Sequence, residues 1–214
     1  MDSNFWQDKW QRGDIGFHES AVNPLLVAHV DKLALTRGAR VFLPLCGKTL
    51  DIAWLLARGM RVVGVELSQL AVDMLFTELG VTPKITPLGT LQPYQAEHID
   101  IFNGDIFTLN KEQLGPVDAI YDRAALVALP AELRERYVAH MRTLNQNAPE
   151  LLVIYEYDQS VKQGPPFSVE APEVERLYGE AYHLEIVERQ AIPATPSGRP
   201  AAMEVVWWLR ARLV

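Results

Sequence analysis

One carboxylate and one short loop in this sequence have the residue types and spacing to hold an adenosyl ligand. Glu66 ends the apolar run VVGVE at residues 62–66. It lies 21 residues after Leu45, which belongs to the loop PLCGK at residues 44–48. A carboxylate at the end of the second strand of a nucleotide-binding unit accepts hydrogen bonds from both ribose hydroxyls. The alternative is that Glu66 only favours the start of the next helix, where an acid interacts well with the helix dipole.

The loop itself argues against ligands that are bound through their phosphates. A dinucleotide site usually shows G-x-G-x-x-G, and PLCGK has one glycine. Gly47-Lys48-Thr49 resembles the end of a phosphate-binding loop, but the position five before Gly47 is Phe42 and not glycine. Leu45 and Gly47 are expected to let backbone groups approach a ligand without phosphates, which is most simply S-adenosylmethionine. A nicotinamide-dependent dehydrogenase is the alternative of another class, and the missing glycine fingerprint counts against it.

Further candidate residues follow the third and fourth predicted strands. Asp105 is placed to meet the adenine amino group, with Ile106 packed on the ring, but Asp105 is equally suited to a local turn with the Asn-Gly pair before it. Arg123 is placed to hold the methionine carboxylate or the methyl acceptor, and an ordinary structural ion pair is an equal alternative. Both alternatives are open on the sequence alone.

Alternating strands and helices are needed to position these residues. Buried-strand patterns and helical stripes predict strands at residues 40–45, 60–65, 98–102, 117–121 and 151–155, and helices at 23–35, 49–58, 69–79, 130–144 and 171–178. Two strands without a helix between them, 182–190 and 203–213, predict a terminal hairpin around Ser197-Gly198. The expected fold is α/β: a doubly wound, mostly parallel, seven-stranded Rossmann-like sheet with a C-terminal antiparallel hairpin. Residues 81–97 show no period and are expected to be irregular.

Composition excludes several classes of protein. The 214 residues are 49% hydrophobic with a net charge of -7, and no basic run is present, so nucleic acid and acidic membrane surfaces are poor partners. No apolar run approaches the roughly 18 residues of a membrane span, and we expect a cytoplasmic, monomeric protein with one domain, residues 1–214. Cys46 is the single cysteine and is interpreted as a packing residue. His18-Glu19 lacks a second histidine at Val22, so no metal is expected.

Five stretches together resemble one family, the thiopurine S-methyltransferases, which have the class I S-adenosylmethionine-dependent methyltransferase fold. These stretches are FWQDKWQRGDIGFH (5–18), VFLPLCGKTLDIAWL (41–55), VVGVELS (62–68), YDRAALVAL (121–129) and YDQSVKQGPPFSV (157–169). The resemblance implies the following contacts: Trp10, Leu45, Glu66 and Arg123 with the cofactor, Ile106 with its adenine, and Phe17 with the acceptor. It also implies that residues 1–22 form a lid over the site.

The implied chemistry is methyl transfer to the sulfur of an aromatic or heterocyclic thiol such as a thiopurine. A sulfonium and a thiolate give neutral products, so a dry aromatic pocket favours the transition state. Trp10 and Phe17 are expected to form this pocket, whereas Trp6 is interpreted as a core anchor. Arg123 is expected to stabilise the thiolate, with Asp122 as the second choice for a base. Since bacterial-type relatives methylate selenium and tellurium compounds, these are alternative acceptors.

Overall fold

Side-chain caps and residues in the left-handed conformation set the limits of several helices. The computed structural model describes residues 3–194 and 200–212. Asn23 accepts a hydrogen bond from the Leu25 N–H, Ser68 accepts one from the Ala71 N–H, and Gly80 ends its helix with φ of 67°. The chain divides into two compact units, residues 1–119 and 120–214, and the single-domain organisation stays a prediction.

The described part of the first unit contains five α-helices and five strands. The helices are α1 (Ser3–Arg12), α2 (Pro24–His29), α3 (Leu50–Ala57), α4 (Gln69–Leu79) and α5 (Lys111–Leu114), and the strands are β1 (Arg40–Pro44), β2 (Arg61–Glu66), β3 (Lys84–Ile85), β4 (Gln92–Ala96) and β5 (Ile99–Asn103). The strand order is β3-β4-β5-β2-β1. Because β1, β2 and β5 are parallel, their carboxyl ends lie at one edge, with Pro44 level with Val65 and Glu66 level with Asn103.

Residues 81–97 were expected to be irregular, and this prediction was wrong. They supply β3 and β4, which raise the number of strands among the described residues from the predicted seven to nine. β4 pairs antiparallel with β5, and Tyr94 is buried there and stacks on Phe76 with ring centroids 5.9 Å apart. The three prolines hide this pattern in the sequence, because proline is depleted in strands. The helix predicted at 23–35 is also shorter, since a 3₁₀ turn (Val30–Leu33) follows α2.

The second unit contains both parallel and antiparallel strand pairs. Its elements are β6 (Ala119–Arg123, beginning at the unit boundary), α6 (Ala131–Asn145), β7 (Glu150–Glu156), α7 (Ala171–Tyr178), β8 (Tyr182–Ile192) and β9 (Ala202–Ala211). β6 and β7 are parallel, while β9 pairs antiparallel with both β7 and β8. The predicted terminal hairpin is therefore confirmed. The turn predicted at Ser197-Gly198 lies outside the described residues.

These strands and helices confirm the α/β fold class. Within the described residues, no helix combines the length and the apolar character that crossing a bilayer requires.

Candidate functional site

The Glu66 carboxylate is held by backbone donors at the carboxyl end of β2. The side chain is buried, and its two oxygens accept hydrogen bonds from the Gly47 N–H at 2.8 Å and the Ser68 N–H at 2.7 Å. Burial raises the pKa of Glu66, and the N–H groups of Ser68, Gly47 and Leu67 act in the opposite direction. A carboxylate has about four lone-pair sites, so Glu66 can still accept from a ligand hydroxyl.

The loop that follows β1 is wound tightly beside this carboxylate. Leu45 has φ of 46° and Gly47 has φ of 52°, and the Cys46 N–H donates to the Val65 carbonyl at 3.1 Å. A positive φ at a leucine is costly, and such strain concentrates at functional sites. A Cβ on Gly47 would lie 3.2 Å from Cζ2 of Trp10, so the Trp10 ring packs directly on the loop.

An aromatic cluster continues from Trp10 away from the loop. Phe17 lies edge-on to both Trp10 and Trp6, with ring centroids 5.5 Å apart in each pair, and Trp6 lies edge-on to Phe5 at 5.2 Å. Trp10 is buried, while Phe17 and Trp6 are half-buried. The structure thus brings together Trp10, Gly47 and Glu66, which were expected to bind the cofactor, and joins them through Trp10 to Phe17, which was expected to bind the acceptor.

Asp105 and Ile106 begin the segment after β5. The Gly104 N–H donates to the Glu66 backbone carbonyl at 2.9 Å, which places the start of this segment beside Glu66. The exposed Asp105 carboxylate accepts a hydrogen bond from the Phe107 N–H at 3.0 Å and caps a 3₁₀ turn, and Ile106 is buried. The local-turn alternative for Asp105 is therefore present, and the adenine roles of both residues stay predictions.

Cys46 lies at the back of the loop. Burial, and then the charge of Glu66, raise the pKa of its thiol well above the ordinary value. Its sulfur would lie 2.8 Å from a Cβ placed on Gly64, so the thiol fills the space that this glycine leaves open. This agrees with a packing role and leaves no nucleophilic thiolate.

Asp122 and Arg123 end β6 in the second unit. Asp122 is fully buried and accepts hydrogen bonds from the Tyr137 hydroxyl at 2.6 Å and the Leu126 N–H at 3.3 Å. Burial raises the pKa of Asp122 to about 6, against the lowering effect of these donors. Arg123 is half-buried, and Ala124 after it has φ of 70°. Both catalytic assignments stay predictions.

Sequence reasoning missed Ser68 as the second donor to Glu66. The signal was available, because a serine two residues after the acid is a helix cap whose own N–H faces back toward the strand end. It also missed Tyr137 as the partner of Asp122, for which the helical pattern gave no signal beyond a buried face.

Solved structures of S-adenosylmethionine-dependent methyltransferases share this fold. An enzyme from Anabaena variabilis superposes with a TM-score of 0.65 at 16% identity, covering 98% of this chain and 95% of that one. Magnesium protoporphyrin IX methyltransferase from Synechocystis, solved with S-adenosylhomocysteine, gives 0.65 at 14% identity, covering 98% and 100%. The class is therefore the class I methyltransferase fold.

The sequence then specifies the family. The family model for thiopurine S-methyltransferase matches residues 1–208. Thiopurine S-methyltransferases of Xanthobacter autotrophicus and Teredinibacter turnerae are each 50% identical to this chain, covering 98% of it and 99% and 97% of their own lengths. The chain belongs to the thiopurine S-methyltransferase family, which confirms the resemblance found in the sequence and replaces the dehydrogenase alternative.

Its methyl donor is S-adenosylmethionine, as expected from the sequence. The residues of the first unit fit this cofactor, because the Glu66 carboxylate can still accept from a ribose hydroxyl and the loop at Gly47 lacks the glycines of a phosphate-binding loop. The chain is a methyltransferase.

Proposed function

We propose that this methyltransferase acts on the sulfur of aromatic or heterocyclic thiols such as thiopurines. The observation that carries the proposal is the aromatic cluster of Trp6, Trp10 and Phe17, which starts at the loop beside Glu66 and exposes part of Phe17. Flat ring faces and edges suit a flat acceptor. The names of the curated relatives support the same acceptor class.

We assign the donor site to the first unit. Glu66 accepts hydrogen bonds from the two ribose hydroxyls with its remaining lone pairs. The strained turn at Leu45 and Gly47 presents its backbone to the ligand, and Trp10 covers that turn. Ile106 packs on the adenine, and Asp105 lies at the adenine edge.

When bound, S-adenosylmethionine supplies a methyl group on a positively charged sulfur. A lone pair of the acceptor thiolate forms the new carbon–sulfur bond as the old one breaks, and the thiol proton has already passed to water. Because the charges of the two reactants cancel, excluding water lowers the barrier. Trp10 and Phe17 exclude water and hold the acceptor in line, and ring faces tolerate the cation.

We assign to Arg123 the stabilisation of the thiolate and a contact with the cofactor. Asp122 is the second choice for a catalytic base. Its two oxygens already accept hydrogen bonds inside the protein, and a pKa of about 6 leaves it mostly ionised at neutral pH. A thiol that ionises readily needs no stronger base. The raised pKa of Cys46 agrees with direct transfer to the acceptor and not to the protein.

The test is transfer of radiolabelled methyl from S-adenosylmethionine across a matched panel. We expect label on thiophenol and 6-mercaptopurine, and none on phenol, which differs from thiophenol only in the acceptor atom. Selenite and tellurite form separate arms for the alternative acceptors. Label on a metalloid oxyanion with none on any thiol would overturn the proposal. The monomeric, cytoplasmic state stays a prediction, and light scattering after size exclusion tests the monomer.

A further inference from the structure

Arg134 is a buried cation on α6 whose guanidinium binds three separate segments of the second unit. The residue is 3% exposed. Its Nε donates to the Leu129 carbonyl at 2.9 Å, Nη1 to the Glu173 carboxylate at 2.6 Å, and Nη2 to the Ser168 carbonyl at 3.2 Å. A buried charge is costly unless it is paired and hydrogen-bonded, and here every donor nitrogen is used. The fork shape of arginine, which lysine lacks, makes these three directions available at once.

The first segment is the turn that follows Arg123. It begins with Ala124 in a left-handed conformation, the Leu126 N–H binds the buried Asp122 carboxylate, and Arg134 binds the Leu129 carbonyl at its far end. Strain at a non-glycine residue persists only where surrounding contacts determine it. Asp122 and Arg134 therefore hold this turn from opposite ends.

The second segment is the β7–α7 loop, residues 157–170. It is tied to itself by the Tyr157 hydroxyl, which donates to the Pro166 carbonyl at 2.6 Å, and by Gln159, which accepts from the Ser168 N–H at 2.7 Å. It is tied to the turn after β6 by the Phe167 N–H, which donates to the Val127 carbonyl at 2.7 Å.

Arg134 joins these two segments to α7. It binds the turn through Leu129, the β7–α7 loop through Ser168, and α7 through Glu173, and its guanidinium lies 5.8 Å from the centroid of the Phe167 ring. Residues of the loop also line an open cavity of about 750 Å³, together with Glu156, Ala171, Pro172 and Arg189. Because β6 and β7 are parallel, with Arg123 level with Val153, the turn and the loop leave the sheet at the same edge. That edge is where ligands bind in folds of this kind.

We propose that Arg134 is a positioning residue for the methyl acceptor, acting through the β7–α7 loop and the turn that presents Arg123. The inference rests on the proposed thiol methyltransferase activity. Arg134 touches no reacting atom; it fixes two segments that meet at the ligand-binding edge of the second unit. Of the residues assigned to the cofactor, only Arg123 lies beside a segment that Arg134 holds. Loosening this contact set should therefore affect the acceptor more than the cofactor.

The test compares Arg134→Lys with Arg142→Lys. Arg142 lies on the same helix and pairs with the exposed Glu180 at 2.9 Å, so it controls for the chemical change. For Arg134→Lys we expect the acceptor KM to rise about 10-fold, because small misplacements of a positioning group cost one to two orders of magnitude. The Kd of S-adenosylhomocysteine should rise much less than the acceptor KM, because Arg123 is the one assigned cofactor contact on a segment that Arg134 holds. Trypsin should cleave faster after Lys162 in the loop. Arg142→Lys should change none of these.

A merely structural role gives a different pattern. It would lower the melting temperature and the fraction of active protein while leaving the acceptor KM unchanged, and that result in a folded Arg134→Lys protein overturns the proposal. If Arg134→Lys does not fold, Glu173→Ala decides, because it removes one acceptor of the guanidinium at a partly exposed position. Wild-type acceptor KM and wild-type trypsin cleavage in Glu173→Ala would also overturn it.

Failure of the proposed function is recognised separately. If the wild-type protein labels no thiol but labels another acceptor, the KM comparison is made with that acceptor. The trypsin comparison needs no methyl acceptor, so it tests in either case whether Arg134 stabilises the loop.

Discussion

Replacing Glu66 by glutamine removes one acceptor oxygen and the charge from the proposed ribose site while keeping the size of the side chain. In the native protein one carboxylate oxygen accepts from the Gly47 N–H and the other from the Ser68 N–H, and the remaining lone pairs are the proposed acceptors for the ribose. In the variant the amide NH₂ must face one of these two N–H groups, so one donor and the hydroxyl beside it lose their acceptor.

The expected loss follows from hydrogen bonds to a charged group, which contribute about 1.5–3 kcal/mol each. Losing one such bond to the ribose weakens the Kd of S-adenosylhomocysteine by roughly 10- to 150-fold at about 1.4 kcal/mol per decade. The backbone donor left unpaired lowers the free energy of unfolding by about 1–3 kcal/mol. The variant should therefore be folded, less stable and much weaker in cofactor binding.

Isothermal titration calorimetry measures the Kd, and urea denaturation measures the free energy of unfolding. Glu97→Gln is the matched control, since it removes the same charge from a side chain that is 90% exposed, and it should leave both quantities unchanged. Lowering the pH through the raised pKa of Glu66 should weaken binding in the wild-type protein and have no such effect in Glu66→Gln. A folded Glu66→Gln protein with wild-type affinity would refute the ribose assignment.

Three further predictions concern the acceptor, the core and pH. Phe17→Ala should raise the acceptor KM more than the Kd of S-adenosylhomocysteine in steady-state and calorimetric assays, because the ring lies beyond Trp10 from the loop. Gly64→Ala should lower the free energy of unfolding in urea by about 1–3 kcal/mol, because its Cβ would lie 2.8 Å from the Cys46 sulfur. Glu150→Gln should reduce the loss of stability between pH 5 and 8, as urea titrations at each pH would show.

The sign of the last prediction follows from the buried acid. Burial, and then the charge of Asp122, raise the pKa of Glu150 well above its ordinary value of 4.5. The folded protein therefore keeps a proton that the unfolded chain releases, so stability falls as the pH rises above that ordinary value. A glutamine cannot titrate, and an unchanged pH slope in the variant would contradict the prediction. For Phe17→Ala, a larger change in the Kd of S-adenosylhomocysteine than in the acceptor KM would contradict the prediction. For Gly64→Ala, an unchanged free energy of unfolding would contradict it.

The elements around the proposed donor site could be predicted from the sequence because their signals are local. The acid at the end of β2, the serine cap of α4 and the glycine after it lie within 15 residues of one another, and each has a preference set by the backbone beside it. The prediction for residues 81–97, which form β3 and β4, was wrong for the opposite reason. Its strands are stabilised by pairing with β5 and by burial of Tyr94, both of which depend on residues outside the segment.

The acceptor side depends on contacts between residues that are distant in sequence. Arg134 and Glu173 are separated by 39 positions, and the other two partners of Arg134 are backbone carbonyls, which carry no sequence signal. Arg134 lies three and four positions before the buried Tyr137 and Val138, so the helical pattern places it on the buried face of α6. The pattern does not show which groups the guanidinium binds. Because Arg134 binds this loop through a backbone carbonyl, side chains of the loop can be substituted while that contact is kept. We therefore expect acceptor range to change with residues 157–170, while cofactor affinity follows the loop and acid of residues 44–66.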